Sequence, residues 1–124
     1  MNATVLTERL VDLTQLHWEH PPHFDAGIDQ VVLVDTLDER AKRGVRTRIV
    51  RFGEGAQTRV PFLHDYHEEV YLVSGDQSRL DSVTLERRER YEEGSYFVRP
   101  AGTQHGPFGS EAGCVLLEIH YYGT

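Results

Sequence analysis

Cysteine is almost missing: Cys114 is the only one in 124 residues, so no disulfide can close within the chain and no thiolate cluster can hold a metal. That usage fits a reducing compartment. Lysine is equally scarce, Lys42 standing alone among thirteen basic residues, a bias that reads as genome composition rather than as a need for guanidinium groups. Positive charge is outnumbered by twenty acidic residues, giving a formal net charge of -7, and such a field repels phosphate and argues against nucleic acid as a partner. No apolar run approaches membrane-spanning length, and residues 1–30 lack the charged start and apolar centre of a secretory signal. The expectation is a cytoplasmic protein without a membrane partner. Repeats and low-complexity tracts are also absent, and the length suits one domain over 1–124.

What is present is strand punctuation. Short runs rich in Val, Ile, Leu, Phe and Tyr (VVLVD, VRTRIVRF, QTRVPFLH, EEVYLVSG, SRLDSVTLE, SYFVRP, CVLLEIHYY) alternate with turn residues in LDERAKRG, GEG, SGDQ, RERYEEG and PAGTQHGPFGSEAG. About seven closely spaced strands without a long amphipathic helix predict an all-β sandwich or barrel, most economically a small jelly roll, which removes exposed edges. Pro21-Pro22 in LHWEHPPHF excludes a helix there, so 1–30 reads as an extended N-terminal arm and 31–124 as the barrel. The same prolines prevent His17, His20 and His23 from stacking on one helical face as a ligand set.

Gly94-Ser95-Tyr96-Phe97-Val98-Arg99-Pro100-Ala101-Gly102-Thr103-Gln104-His105 carries the most specific pattern, G-x5-P-x-G-x2-H. Gly94 opens a strand, Pro100 and Gly102 make a tight turn, and the returning chain aims His105 inward. This stretch resembles the second motif of the cupin superfamily. The last motif position differs, Gly109 standing where many cupins carry Asn. Glu68 precedes Gly75 with six residues between, and His64 precedes Glu68 with three residues between, as in the first cupin motif. The first histidine of that motif's H-x-H is replaced by Phe62. Strand parity places His64, Glu68, Val70 and Leu72 on one face and His67, Glu69 and Tyr71 on the other. A turn between His64 and Glu68 would reset that parity and make His67 the second imidazole.

The arm with Trp18, the EEVYLVSG strand and the tail HGPFGSEAGCVLLEI resemble small single-domain cupins of the ChrR and acetylacetone-dioxygenase-like kind. The resemblance implies a double-stranded β-helix (jelly-roll) barrel, one divalent metal ion (Fe(II), Mn, Ni or Zn) on His64, Glu68 and His105, and often a homodimer. A two-His, one-carboxylate set leaves positions open for a small-molecule substrate. The reading that follows is a metal-dependent enzyme of a small oxygenated or carbonyl compound, in the manner of a non-haem Fe(II) dioxygenase. A non-redox isomerase, lyase or cyclase, or a sensor without turnover, are the alternatives. Phe62 as an apolar wall would favour a small, flat or partly apolar substrate. Arg48 or Arg51 is expected to hold an anionic group, Arg51 first. Tyr96, Gln104, Glu118, His120 or Tyr121 is expected to orient a ligand or move a proton. Together with Glu68, the catalytic candidates are Arg51, Tyr96 and His120.

Overall fold

The computed structural model describes residue 8 and residues 10–123. Among them the helical content is one 3-10 turn, Leu13–Gln15, capped by the Asp12 carboxylate on the Thr14 amide. Everything else regular is strand: β1 (Ile28–Asp35), β2 (Val45–Phe52), β3 (His67–Leu80), β4 (Arg87–Glu92), β5 (Tyr96–Arg99), β6 (Phe108–Gly109) and β7 (Cys114–Tyr121). All pairs are antiparallel, and the hydrogen-bonded order is β1-β2-β7-β3-β4, with β5 and β6 also pairing with β3. The result is the double-stranded β-helix expected of a cupin, built from an open path of strands rather than a closed ring.

Alternation decides which side of each strand faces inward. In β7, Cys114, Leu116, Glu118 and His120 are buried while Val115, Leu117, Ile119 and Tyr121 are half-exposed. The core gathers Ile28, Val50, Phe52, Val70, Leu72, Phe108, Cys114 and Leu116. Each such side chain contributes on the order of 1.5–3 kcal/mol by leaving water. Burial also pushes the Cys114 thiol up to about 11, so this cysteine behaves as a small apolar residue.

Four segments differ from the sequence reading. SRLDSVTLE is strand only over 78–80, where β3 ends; the Asp81 carboxylate then accepts from the Val83 and Thr84 amides at 2.8 and 2.9 Å and turns the chain. QTRVPFLH is not a strand; it makes only two isolated bridges, Gln57 with Gly109 and Phe62 with His105. Pro61 lies inside it and supplies no amide for a ladder. SGDQ is not a turn, because β3 runs through it for 14 residues. The register shifts between Leu72 and Ser74, and Gly75 takes φ +83 where a Cβ would run into the Gly113 carbonyl, so a bulge and a glycine bend the strand without ending it. RERYEEG forms most of β4, whose alternation is hidden because nearly every side chain is charged and exposed. Charges of this kind keep an edge strand from pairing with other chains.

The arm lies against the barrel through a Glu19–Gln30 bridge, with the His20 ring 2.8 Å from the Ile28 carbonyl and 2.9 Å from that of Phe24. On the outer face, Tyr71 and Val73 of β3 and Tyr96 and Val98 of β5 are exposed apolar side chains, each more than 40% accessible. No helix among the described residues is long and apolar enough to cross a membrane.

Candidate metal centre and its cavity

The two motif segments are tied by backbone. Phe62 and His105 exchange hydrogen bonds of 2.7 and 3.0 Å, and the Gly102 amide donates to the His64 carbonyl at 2.8 Å. These bonds swing His64 and His105 over Glu68 at the start of β3. His64 Nε2 and His105 Nε2 lie 3.9 and 3.8 Å from the same oxygen, Glu68 Oε2, and one donor atom from each residue falls within 4.8 Å of the others.

The protonation states suit a cation. His105 Nδ1 is 3.1 Å from the Thr103 carbonyl, which fixes the proton there and leaves the Nε2 lone pair facing Glu68. Burial pushes His64 down to about 4 and His105 down as well, against the pull of Glu68 in both cases. Both rings are therefore neutral near pH 7. Two neutral imidazole nitrogens and a carboxylate oxygen at this spacing fit a divalent ion, since ligand bonds of about 2.0–2.2 Å need only a small inward adjustment.

Beneath them is a second layer. His120 is fully buried, with Nε2 3.2 Å from Glu68 Oε2 and 3.3 Å from Glu118 Oε1. Arg46 donates to its Nδ1 from Nε at 3.1 Å and from Nη2 at 2.8 Å. Burial opposes a charge on His120, but Glu118 and Glu68 outweigh it and raise the ring above its ordinary value. The two Arg46 donors leave no room for a proton on Nδ1, so the proton the ring keeps is on Nε2. That nitrogen makes no well-directed hydrogen bond and sits between the two carboxylates; carrying a proton, it supports Glu68 rather than ligating a cation beside it. Burial pushes Glu118 up, but Arg48 and His120 outweigh it and hold this carboxyl ionised well below the usual range. Arg48 donates to Glu118 at 2.9 Å and to Gln30 at 2.9 Å.

A cavity of about 160 Å³ opens beside this cluster. Phe24, Phe62, Phe108, Val50 and Leu116 form its apolar walls, and Arg46, Arg48, Arg99, Glu118 and Gln77 contribute polar groups. Phe62 stands next to both imidazoles, its ring centre 6.0 Å from that of His105 and 6.1 Å from that of His64. It packs against Phe24 of the arm at 5.5 Å. The position where the first motif usually offers an imidazole is thus an apolar wall.

With this geometry in place, the chain matches a family model described as the ChrR Cupin-like domain over residues 6–122. The chain belongs to the ChrR cupin-like family. Among solved structures, this cupin is similar to KdgF from Halomonas sp., at 22% identity over 95% of this chain and 96% of that one, with a TM-score of 0.68. It is also similar to the polyketide cyclase RemF from Streptomyces resistomycificus, at 20% identity over 93% and 80%, with a TM-score of 0.71. For an acetylacetone dioxygenase from Acinetobacter johnsonii the values are 18% over 94% and 76%, with a TM-score of 0.68. At such identities the likeness speaks for the fold. A search of curated proteins finds no match.

Of the residues singled out in the sequence, this cupin brings Arg48, His64, Glu68, His105, Glu118 and His120 together and leaves five outside: His67, Arg51, Tyr96, Gln104, which is exposed, and Tyr121, on the outer face of β7. His67 keeps to the outer face of β3, its Nδ1 accepting from the Ala101 amide at 3.0 Å and its Nε2 against the Gly123 carbonyl. No turn resets parity at Glu68, so His67 does not replace the imidazole missing at Phe62. Arg51 is corrected likewise: it shares the outer face of β2 with Thr47, pairs with Asp29 at 3.0 Å and lies under Trp18, with its guanidinium carbon 4.0 Å from the ring centre. Tyr96 points outward and bonds to Glu69. Strand register explains both, since Val50 and Phe52 take the inward face of β2 and Phe97 the inward side of β5.

Sequence reasoning missed Arg46, Tyr66, Gln77 and Arg99. The signal for Arg46 was available in the shared parity of Arg46, Arg48, Val50 and Phe52. Cross-strand pairing then sets Arg46 opposite His120 and Arg48 opposite Glu118.

Proposed function

We propose that this cupin is a divalent-metal-dependent enzyme acting on a small oxygenated or carbonyl compound, of the dioxygenase type, with His64, Glu68 and His105 as ligands. The observation that supports it most is His105: its Nδ1 is committed to the Thr103 carbonyl, and its Nε2 faces Glu68 Oε2 and the His64 ring. A bound Fe(II), Mn, Ni or Zn ion would supply Lewis acidity and open coordination positions. The chain does the rest. Arg99, 3.2 Å from Glu68 Oε1, and His120 orient the carboxylate; Phe62, Phe108 and Phe24 exclude water around a small substrate.

A second reading, a non-redox isomerase, lyase or cyclase, is favoured by one feature: the His120 Nε2 proton held between Glu68 and Glu118 is a buried store from which a proton could be moved. We further read the protein as a cytoplasmic homodimer, the exposed apolar row of Tyr71, Val73, Tyr96 and Val98 being the face a second copy would cover.

Elemental analysis of purified protein tests the first claim. We expect close to one equivalent of one of these metals in the wild type and little in His105→Ala; equal metal in both would overturn the ligand assignment. Oxygen uptake that depends on added Fe(II) separates the two chemistries, because full turnover without oxygen would select the non-redox reading.

A further inference from the structure

The charges that line the cavity do not balance. Three guanidiniums, Arg46, Arg48 and Arg99, meet two carboxylates, Glu68 and Glu118. Each carboxylate is taken: Glu118 by Arg48 at 2.8 Å and Glu68 by Arg99 at 3.2 Å. Arg46 has no carboxylate partner among the described residues. Its hydrogen bonds run to His120 Nδ1, which is unprotonated, and to the Tyr66 hydroxyl at 3.1 Å. A phenol is neutral near pH 7, so it carries no charge to offset the guanidinium. One excess positive charge therefore borders a cavity in a protein whose net charge is -7. A cation at His64, Glu68 and His105 would enlarge the excess.

A part-buried guanidinium with only neutral acceptors is stabilised by an anion. Arg46 is well placed to present one to the metal centre. Its guanidinium carbon is 5.5 Å from the Tyr66 ring centre, and Tyr66 stacks on His64 with ring centres 4.5 Å apart. Phe24, Phe62 and Phe108 cover the remaining wall. The volume of about 160 Å³ lies below the roughly 300–1,000 Å³ usual for larger ligands.

We propose that the cavity takes a small carboxylate with an apolar body, its charge received by Arg46. This assignment rests on the enzymatic reading of the same cavity, for which it names the class of substrate. The apolar body of the ligand lies against the phenylalanine rings.

Calorimetric titration tests it, using propanoate and benzoate as probes, each against its own amide, on Zn(II)-loaded and on chelator-stripped protein. The expected result is that at least one acid binds about tenfold or more tightly than its amide, the scale of a charge-assisted pair. Arg46→Gln removes that preference and Arg46→Lys retains part of it. The proposal is overturned if neither acid binds, if acid and amide bind alike to the wild type, or if Arg46→Gln keeps the preference. The wild-type comparison needs no variant to fold. Zinc uptake is read in the same titrations: a carboxylate preference without metal binding would sink the enzymatic reading and leave the anion site standing, while metal binding without the preference would do the reverse.

Discussion

Replacing Arg48 with methionine is the sharpest test of how the charged layer under the metal centre is held. Arg48 gives Glu118 two contacts, from Nε at 2.9 Å and Nη2 at 2.8 Å, and gives Gln30 a third at 2.9 Å. Both members of the pair are largely inaccessible, with side-chain exposures of 13% and 10%. Methionine fills much of the same volume, so the cavity penalty is small; what remains is a buried carboxylate whose only nearby donor is the His120 proton it shares with Glu68. Breaking a buried pair from one side costs about 3–5 kcal/mol. A domain of 124 residues has on the order of 6–19 kcal/mol in total, so the loss is a large fraction, equivalent to a fall in Tm of about 10–20 °C. Urea denaturation and thermal melts of metal-free protein read it directly. Arg48→Met combined with Glu118→Met removes both charges and should recover most of the loss. A single variant within about 1 kcal/mol of wild type, or a double variant no more stable than the single, would refute the reasoning.

The folded His64 sits at about 4, below the ~6.5 of an unfolded imidazole. Between those values the unfolded chain binds more protons, so metal-free protein should lose stability as pH falls from about 6.5 toward 4, by roughly 1–2 kcal/mol after discounting for part exposure. Denaturation midpoints across that range should fall more steeply for wild type than for His64→Gln, and parallel profiles would count against it. For the outer face, sedimentation should show a dimer at micromolar concentration that Val73→Lys with Val98→Lys converts to a monomer; a wild-type monomer would remove that surface from consideration.

Much of the architecture was legible because it follows from alternation. The inward set of β7 reads off CVLLEIHY, and Glu68, Val70 and Leu72 read off EEVYL. His105 was legible for another reason, since Pro100 and Gly102 dictate the turn that carries it back. Where side-chain chemistry masks the period, the reading failed: the charged β4 looked like a loop, and a glycine inside β3 looked like its end. Arg51 and Tyr96 were misplaced because a strand segment without a register gives two equally good faces. Cross-strand pairing breaks that tie, and pairing belongs to the whole sheet rather than to any one strand. Phe62 was visible as a departure from the motif, but only the packing of its ring beside His64 and His105 turns that departure into a wall.

The bulge between Leu72 and Ser74 works as a phase change. Ahead of it even-numbered residues of β3 look inward, Glu68 among them; beyond it Gln77, an odd-numbered residue, reaches the same interior. One strand thereby serves both ends of the pocket. Loss or gain of a single residue between those two points would turn one end inside out while leaving the other untouched, so the length of this short stretch is as fixed as Gly75 within it.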